Sequence, residues 1–323
     1  MAKMVLYAAG GAASNIAKHF VKFIDRRDPG FAEIVPYFLD ASKSNLSKEI
    51  PDEHVYIVDG LDGSGKLRAS NYEALTACTE EILYQFKPGD INVVLHSSGG
   101  GTGSTLGPIL SSELLNRNIP TIVINIGSTA SRIEIENTIK TLKSYEVISK
   151  KREKPVNMYY RENGDSSTRG TIDFDIQTAV VILAAIFSGS NSELDGADLK
   201  NFLDYTRVTS YSAKLALLEF FSKEISINKG QSVVSLVTLV DDKASSDANI
   251  PVEYQAVGKL PDQTKELVSV DLPIHATIIN GFFNNIIHTL EEKLKVFDEG
   301  RRVVTEKSIV GDDIKSTSEG LVL

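Results

Sequence analysis

Hydrophobic positions in the first half of the chain fall into short unbroken runs separated by amphipathic stretches. "MVLYAA", "EIVPYFL", "HVYIVD", "INVVLH", "PTIVINI" and "PVNMYY" read as strands. Between them, "SNIAKHFVKFI", "NYEALTACTEEILYQF", "TGSTLGPILSSELLNR" and "RIEIENTIKTLKSY" read as helices. Nearly all-apolar strands alternating with helices predict an α/β fold, with a parallel sheet buried on both faces. A long helix is expected from Ile172 to Phe187. Beyond it, "RVTSYS", "SVVSLVTLV", "VEYQAVG" and "ELVSVDL" read as strands with fewer helices between them, a second and smaller α/β unit. In "NGFFNNIIHTLEEKLKVF", Phe283, Ile286, Ile287, Leu290, Leu294 and Phe297 share one stripe, which predicts a C-terminal helix. A mixed, increasingly polar tail follows Gly300.

Composition narrows the function. The 323 residues are 42% hydrophobic and 24% charged, enough for a large core and two domains. Lys plus Arg is 34 against 43 for Asp plus Glu, a net charge of -9 that argues against direct nucleic-acid binding. The most basic stretch, "KSYEVISKKREK", reads as a solvated helix end. The single cysteine, Cys78, cannot form an internal disulfide, which fits a reducing, intracellular setting. No apolar run approaches the ~18 residues that would span a bilayer, so no membrane partner is expected. The "MAKMVLYAAGG" start has too short an apolar core for a signal peptide. Five scattered histidines and one cysteine form no zinc pattern.

The candidate chemistry lies in three glycine loops that leave predicted strands at their carboxyl ends, where open parallel sheets bind ligands. In "AAGGAASN" (8–15), Gly10 and Gly11 let the backbone turn and approach a ligand, with Ser14 or Asn15 available to cap the next helix. "GLDGSGKL" (60–67) looks like a P-loop, but Leu67 stands where that motif needs a magnesium-binding hydroxyl. In "HSSGGGTGSTLG" (96–107), Gly99, Gly100 and Gly101 can present consecutive amides to a phosphate. Thr102 and Ser104 add hydroxyls there, and the following helix adds its dipole.

The run "GGGTGS" (99–104) resembles the signature loop of the tubulin and FtsZ superfamily. "AAGGAASN" looks like that family's first phosphate loop, "LDASKSN" (39–45) stands where the second should be, and "GLDGSGK" where the γ-phosphate-sensing third should be. The resemblance implies a Rossmann-like GTPase domain over 1–170, a central helix over 171–190 and an α/β domain over 191–280. A C-terminal helix over 281–300 and a tail over 301–323 complete it. It implies a nucleotide site of Gly10, Gly11, Ala12, Ala13, Asn15, Asp40, Gly63, Ser64, Gly65, Ser98, Gly99, Gly100, Gly101, Thr102, Gly103 and Ser104. Arg132 and Glu134 are candidates near the ribose, and Asp173 or Asp175 for reading guanine N1–H and its amine. GTP or GDP is the implied ligand, with Mg²⁺ carried by its phosphates rather than by protein side chains. After the long helix, "NSELDGADLKNF" (191–202) resembles the family's hydrolysis loop, with Asp195 and Asp198 orienting water against the next subunit's γ-phosphate. Asn191 is offset from that pattern, and Glu193 is a substitute.

A short chain with a long terminal helix resembles the phage-encoded tubulin-like proteins of large bacterial viruses. Those form filaments in the host cytoplasm and position phage DNA. The resemblance makes the chain its own partner, head to tail, with the tail reaching the next subunit through Asp312, Asp313, Glu319, Ile314 and Leu321. DNA or capsid would be indirect cargo. Two other readings compete: a dinucleotide-dependent oxidoreductase using Asp40 at the ribose, and a nucleotide-binding filament protein that does not hydrolyse.

Overall fold

Parallel pairing of the apolar strands builds the centre of the molecule. The computed structural model describes the chain except for residues 29, 62, 165–167, 192, 223, 242–246, 261–270 and 306–323, with backbone only for 301–305. The strands are β1 (Lys3–Ala9), β2 (Glu33–Asp40), β3 (Val55–Ile57), β4 (Ile91–Ser97), β5 (Thr121–Ser128), β6 (Val156–Asn163), β7 (Leu215–Ser222), β8 (Ser232–Val240), β9 (Gln255–Lys259) and β10 (Ile274–Asn280). They form one sheet in the order β3-β2-β1-β4-β5-β6-β7-β10-β8-β9. The first seven are parallel neighbours. β10 is antiparallel to both β7 and β8. The two parts join where Val156, Asn157 and Met158 pair with Leu215, Ala216 and Leu217. The α/β fold and the parallel pairing of the first part are those expected from the strand runs; the antiparallel pairing of β10 is not.

Alternation along β1 shows why both faces are dry. Met4, Leu6 and Ala8 point into one core, Val5, Tyr7 and Ala9 into the other. The first face is covered by α1 (Gly11–Ala17), α6 (Arg169–Ile186) and α7 (Gly196–Leu203). The central helix α6 packs there with residues of β1, β4 and β5 and also of β7, β8 and β10, so one core spans both parts of the sheet. The second face carries α2 (Tyr72–Ala77), α3 (Thr79–Gln85), α4 (Thr102–Asn116), α5 (Arg132–Arg152) and α8 (Phe282–Thr305).

Several sequence expectations change. "RVTSYS" is not a strand: a 3-10 turn at Tyr205–Arg207 leads into irregular backbone, with Thr209 Oγ1 donating to the Tyr205 carbonyl and Glu253 accepting from Ser210. Such local side-chain bonds compete with a ladder. The strand follows as β7, and β10 was not foreseen. The helix predicted over 71–86 divides at Cys78, whose thiol is buried and pushed up to about 11. The basic stretch ends α5, with Lys150, Lys151 and Arg152 in its last turn. Phe297, expected on the buried stripe of α8, is 44% exposed. Most of "ELVSVDL", and the tail contacts at Asp312, Asp313, Ile314, Glu319 and Leu321, lie outside the described residues. No helix among the described residues is long and apolar enough to cross a membrane.

A buried polar chain ties β4 to the second-face helices. Ser98 Oγ donates to Asn125 Oδ1 at 2.8 Å, Asn125 Nδ2 meets the His96 ring at 3.1 Å, and Tyr145 Oη lies 2.7 Å from His96 Nε2. The ring fits because Gly107 has no Cβ; one there would come within 2.5 Å of it. Burial pushes the His96 pKa down to about 3.

Two measurements test this packing. In urea unfolding, Leu290→Ala, which empties a 1%-exposed position of α8, should cost about 2–5 kcal/mol. Val296→Ala, at a 68%-exposed position of the same helix, should cost under about 0.5 kcal/mol. For His96, the unfolded chain takes a proton below the ordinary 6.5 while the folded one stays neutral down to about 3. Its contribution is therefore complete above pH 6.5 and is lost as pH falls towards 3, by up to about 1.4 kcal/mol per pH unit. The pH slope of stability between 6.5 and 4 should be shallower by up to that amount in His96→Gln; equal slopes would contradict the assignment.

Candidate functional site

The order β3-β2-β1-β4-β5-β6 reverses direction between β1 and β4. The chain leaving β1 enters α1 on one face, and the chain leaving β4 enters α4 on the other. A crevice opens at such a switch point, at the carboxyl ends of the strands. Here it is a cavity of about 170 Å³. Its walls are Ala9 to Ala12 after β1, Asp40 and Asn45 after β2, Gly63 to Lys66 after β3, and Ser97 with Gly101 to Gly103 after β4. Four segments distant in sequence thus converge on one space.

Close backbone approach explains Gly101 and Gly103, whereas Gly10 has a φ of 85° that favours glycine. A Cβ at Gly103 would lie 2.7 Å from the Ala9 carbonyl, and one at Gly101 2.2 Å from Ser64 Cβ. Gly101 itself has ordinary helical dihedrals and precedes α4, whose first turn faces the cavity. Gly99 packs against Ser128 and Glu134, while Gly100 is open. The loop after β3 does need unusual dihedrals: Gly63, Gly65 and Lys66 have φ of 80°, 50° and 65°.

That loop is closed over the glycine run. Ser64 Oγ and Thr102 Oγ1 are 2.8 Å apart, and Asn71 Nδ2 donates to the Gly63 carbonyl and Ser64 Oγ at 3.0 Å. Lys66 Nζ pairs with Glu134 Oε1, and Glu134 Oε2 accepts from Ser128 Oγ. Asn137 Nδ2 holds the carbonyls of Lys66 and Gly99, at 2.9 and 3.3 Å. Burial raises the Glu134 carboxyl, but the Lys66 and Ser128 contacts outweigh it and hold its pKa below the ordinary value. Asp40 is shifted the other way: burial dominates, although its carboxylate accepts from Asn45 Nδ2 at 3.0 Å and from the Ala41 amide at 2.7 Å.

Other expected residues stand at varying distance from this cavity. Ala13 is buried in α1 and Asn15 is exposed on it. Ser98 and Ser104 are buried, their hydroxyls donating to Asn125 and to the Gly101 carbonyl. Asp173, in the first turns of α6, is raised by burial and lies in the field of Arg169 and Lys18; Arg169 also acts on Glu134. Asp175 faces elsewhere, towards Arg161 at 3.4 Å, whose guanidinium grips Glu219 with two bonds of 2.8 Å. Arg132 is set apart from the cavity: it joins α5 to α8 through Asp298 at 2.6 Å and pairs with Glu136 at 3.0 Å. Residues the sequence did not single out are Asn71, Ser128, Asn137 and Phe174; the last is 63% exposed beside Asp173.

Asp195 and Asp198 lie at the other end of the sheet. Asp195 lines a cleft of about 1000 Å³ together with Ala2, Ile91, Thr121 and Asn157, at the amino ends of β1, β4, β5 and β6. Seven- and eight-residue strands separate that end from the glycine loops, roughly 25 Å. Both carboxylates build a capping box: Asp195 Oδ1 accepts from the amides of Ala197 and Asp198 at 2.7 and 2.9 Å, and Asp198 Oδ2 from the Asp195 amide at 3.2 Å. Tyr254 Oη donates to the remaining Asp198 oxygen at 2.9 Å. Asn191 anchors the same loop to β9, donating to the Lys259 carbonyl at 2.8 Å and accepting from its amide at 3.1 Å.

No protein-family model matches the chain. It is 25% identical over 335 aligned positions to the phage tubulin-like protein of Pseudomonas phage phiKZ, covering 99% of this chain and 98% of that one. Its structure is similar to the phage tubulin PhuZ with GDP, at a TM-score of 0.85 and 21% identity, and to the TubZ protofilament from bacteriophage PhiKZ, at 0.81 and 24%. Both likenesses cover 100% of each chain. The converging loops around the β1–β4 switch point, this fold and the whole-length sequence likeness agree: the chain has the fold of the phage tubulins and is similar, from end to end, to a phage tubulin-like protein.

Proposed function

We propose that the protein is a GTPase that assembles head to tail into tubulin-like filaments, with GTP held in the loop cavity and hydrolysed between subunits. One observation carries this reading. The anion-binding loops and the Asp195–Asp198 carboxylates lie at opposite ends of the same parallel sheet. One chain cannot bring them together; two stacked end on end can.

The loop end suits a nucleotide. Gly10 to Ala12 and Gly101 to Gly103 line the cavity, with α4 adding its N-terminal dipole. Asp173 would accept guanine N1–H and the exocyclic amine, a pairing adenine cannot offer. Phe174 offers the base an aromatic face, and Glu134 a hydrogen-bond acceptor to the ribose. Residues 1–170 would then hold the nucleotide, and 191–280 would supply the opposing face. Magnesium would enter on the phosphates, where it would neutralise their charge. Chains of similar structure include the phage tubulin PhuZ with GDP and the TubZ protofilament of bacteriophage PhiKZ. The likeness to a Pseudomonas phage protein further supports a filament that works in the cytoplasm of an infected bacterium and positions phage DNA.

At the opposite end, Asp198 would accept a proton from the attacking water, with Asp195 holding the first turn of α7 in place. The capping box makes alanine a poor probe, since it removes a cap as well as a charge. Asp198→Asn keeps an acceptor for the Asp195 amide and removes the charge. It should leave GTP-dependent light scattering intact and lower phosphate release by about 10²-fold or more; wild-type turnover would refute the assignment. In the unaltered protein, scattering should rise with GTP but not with ATP or NAD, and phosphate should appear only above a threshold protein concentration.

A further inference from the structure

Two anchors tie the segment that carries Asp195 and Asp198 to β9 and the residue before it. At the start of the segment, Asn191 Nδ2 donates to the Lys259 carbonyl at 2.8 Å, and Asn191 Oδ1 accepts from the Lys259 amide at 3.1 Å. The same oxygen accepts from the amides of Glu193 and Leu194, at 3.1 and 3.2 Å. Gly258 leaves the room for this: a Cβ there would come within 2.9 Å of Asn191 Nδ2 and 3.2 Å of Leu194 Cβ. At the other end, Tyr254 Oη donates to Asp198 Oδ1 at 2.9 Å. Tyr254 is itself held. Its carbonyl accepts from the Leu236 amide of β8 at 3.0 Å, and its partly buried ring packs on the first-face core. The neighbouring Glu253 holds Ser210 through two bonds of 2.6 Å. Burial, and then the Asp198 carboxylate, push the phenol up to about 12, so it stays a donor.

The consequence falls on Asp198. A carboxylate turns about its Cβ–Cγ bond unless both oxygens are held. Here Oδ2 accepts from the Asp195 amide at 3.2 Å, a long contact, and Oδ1 from Tyr254 at 2.9 Å. Each oxygen has two lone pairs, so acceptor capacity remains for a water. We propose that Tyr254 is a positioning residue for the hydrolysis: its phenol fixes the direction of the Asp198 carboxylate before a neighbouring subunit brings the nucleotide. It acts through Asp198 and not on the nucleotide. Such preorganisation matters because a misplacement of about 1 Å can cost roughly 10²-fold in rate. Tyr254 belongs to the second part of the sheet, whereas the carboxylates follow the central helix α6, so one part of the molecule aims a group carried by the other. The proposal rests on the hydrolysis reading given above.

Tyr254→Phe keeps the ring and removes the donor. The test compares the unaltered protein, Tyr254→Phe, Asp198→Asn and the double variant. Turnover of radiolabelled GTP is measured on assembled protein, and the critical concentration with a slowly hydrolysed GTP analogue. Tyr254→Phe should lower turnover about tenfold or more, with GTP affinity and critical concentration within about twofold of the unaltered protein. In the Asp198→Asn background the same change should have no further effect, because the carboxylate it acts on is gone. Unchanged turnover in Tyr254→Phe beside a slowed Asp198→Asn, an equal fall in both backgrounds, or a fall explained by a raised critical concentration would overturn the proposal alone. Unchanged turnover in Asp198→Asn, or no GTP hydrolysis by the unaltered protein, would overturn the hydrolysis reading and the proposal with it.

Discussion

The close approach of backbone to backbone at the β1–β4 switch point is the constraint on which the rest depends. β1 and β4 are paired in parallel, yet their following helices go to opposite faces, so their exits diverge over one point. A Cβ at Gly103 would run into the Ala9 and Ser97 carbonyls there, and one at Gly101 into Ser64. Any side chain at those positions would drive the loops apart by an ångström or more and expose amides that now converge. The polar chain Ser98–Asn125–His96–Tyr145 braces the same loop from beneath, without charge in the core.

A sheet with one reactive end has a consequence for assembly. Parallel strands put every crossover exit at the same end, so the loop cavity and the cleft beside Asp195 cannot belong to one closed site. The carboxylates at the far end are held by a capping box and by Tyr254, which gives them fixed positions without a ligand of their own. In the proposed filament part of the hydrolytic machinery would come from a second copy, and turnover would be contingent on contact.

Much of this was legible in the sequence, for identifiable reasons. Buried parallel strands must be apolar on both faces, so β1, β2, β4, β5 and β6 stood out as unbroken runs. β7 did not, because "LALLEFFS" is a short apolar run rich in helix-forming residues that periodicity cannot separate from a helix. Clustered glycines announced the loops, but not the neighbour that Gly101 must leave room for, Ser64, which lies thirty-seven positions away in the chain. Contacts that close the site escaped notice because they join residues about seventy positions apart, as Asn137 does with Lys66. Arg132 and Asp175 matched expected positions by spacing, yet charge partners from other elements, Asp298 and Arg161, draw them elsewhere.

The central claim is that loops from four separate segments form one nucleotide site at this end of the sheet. Amide hydrogen exchange with and without a non-hydrolysable GTP analogue, on unassembled protein, tests it most directly. The account predicts slower exchange together at residues 10–15, 40–45, 63–67 and 99–105, with 189–207 unchanged. Protection confined to 189–207, or absent from the glycine loops, would contradict it.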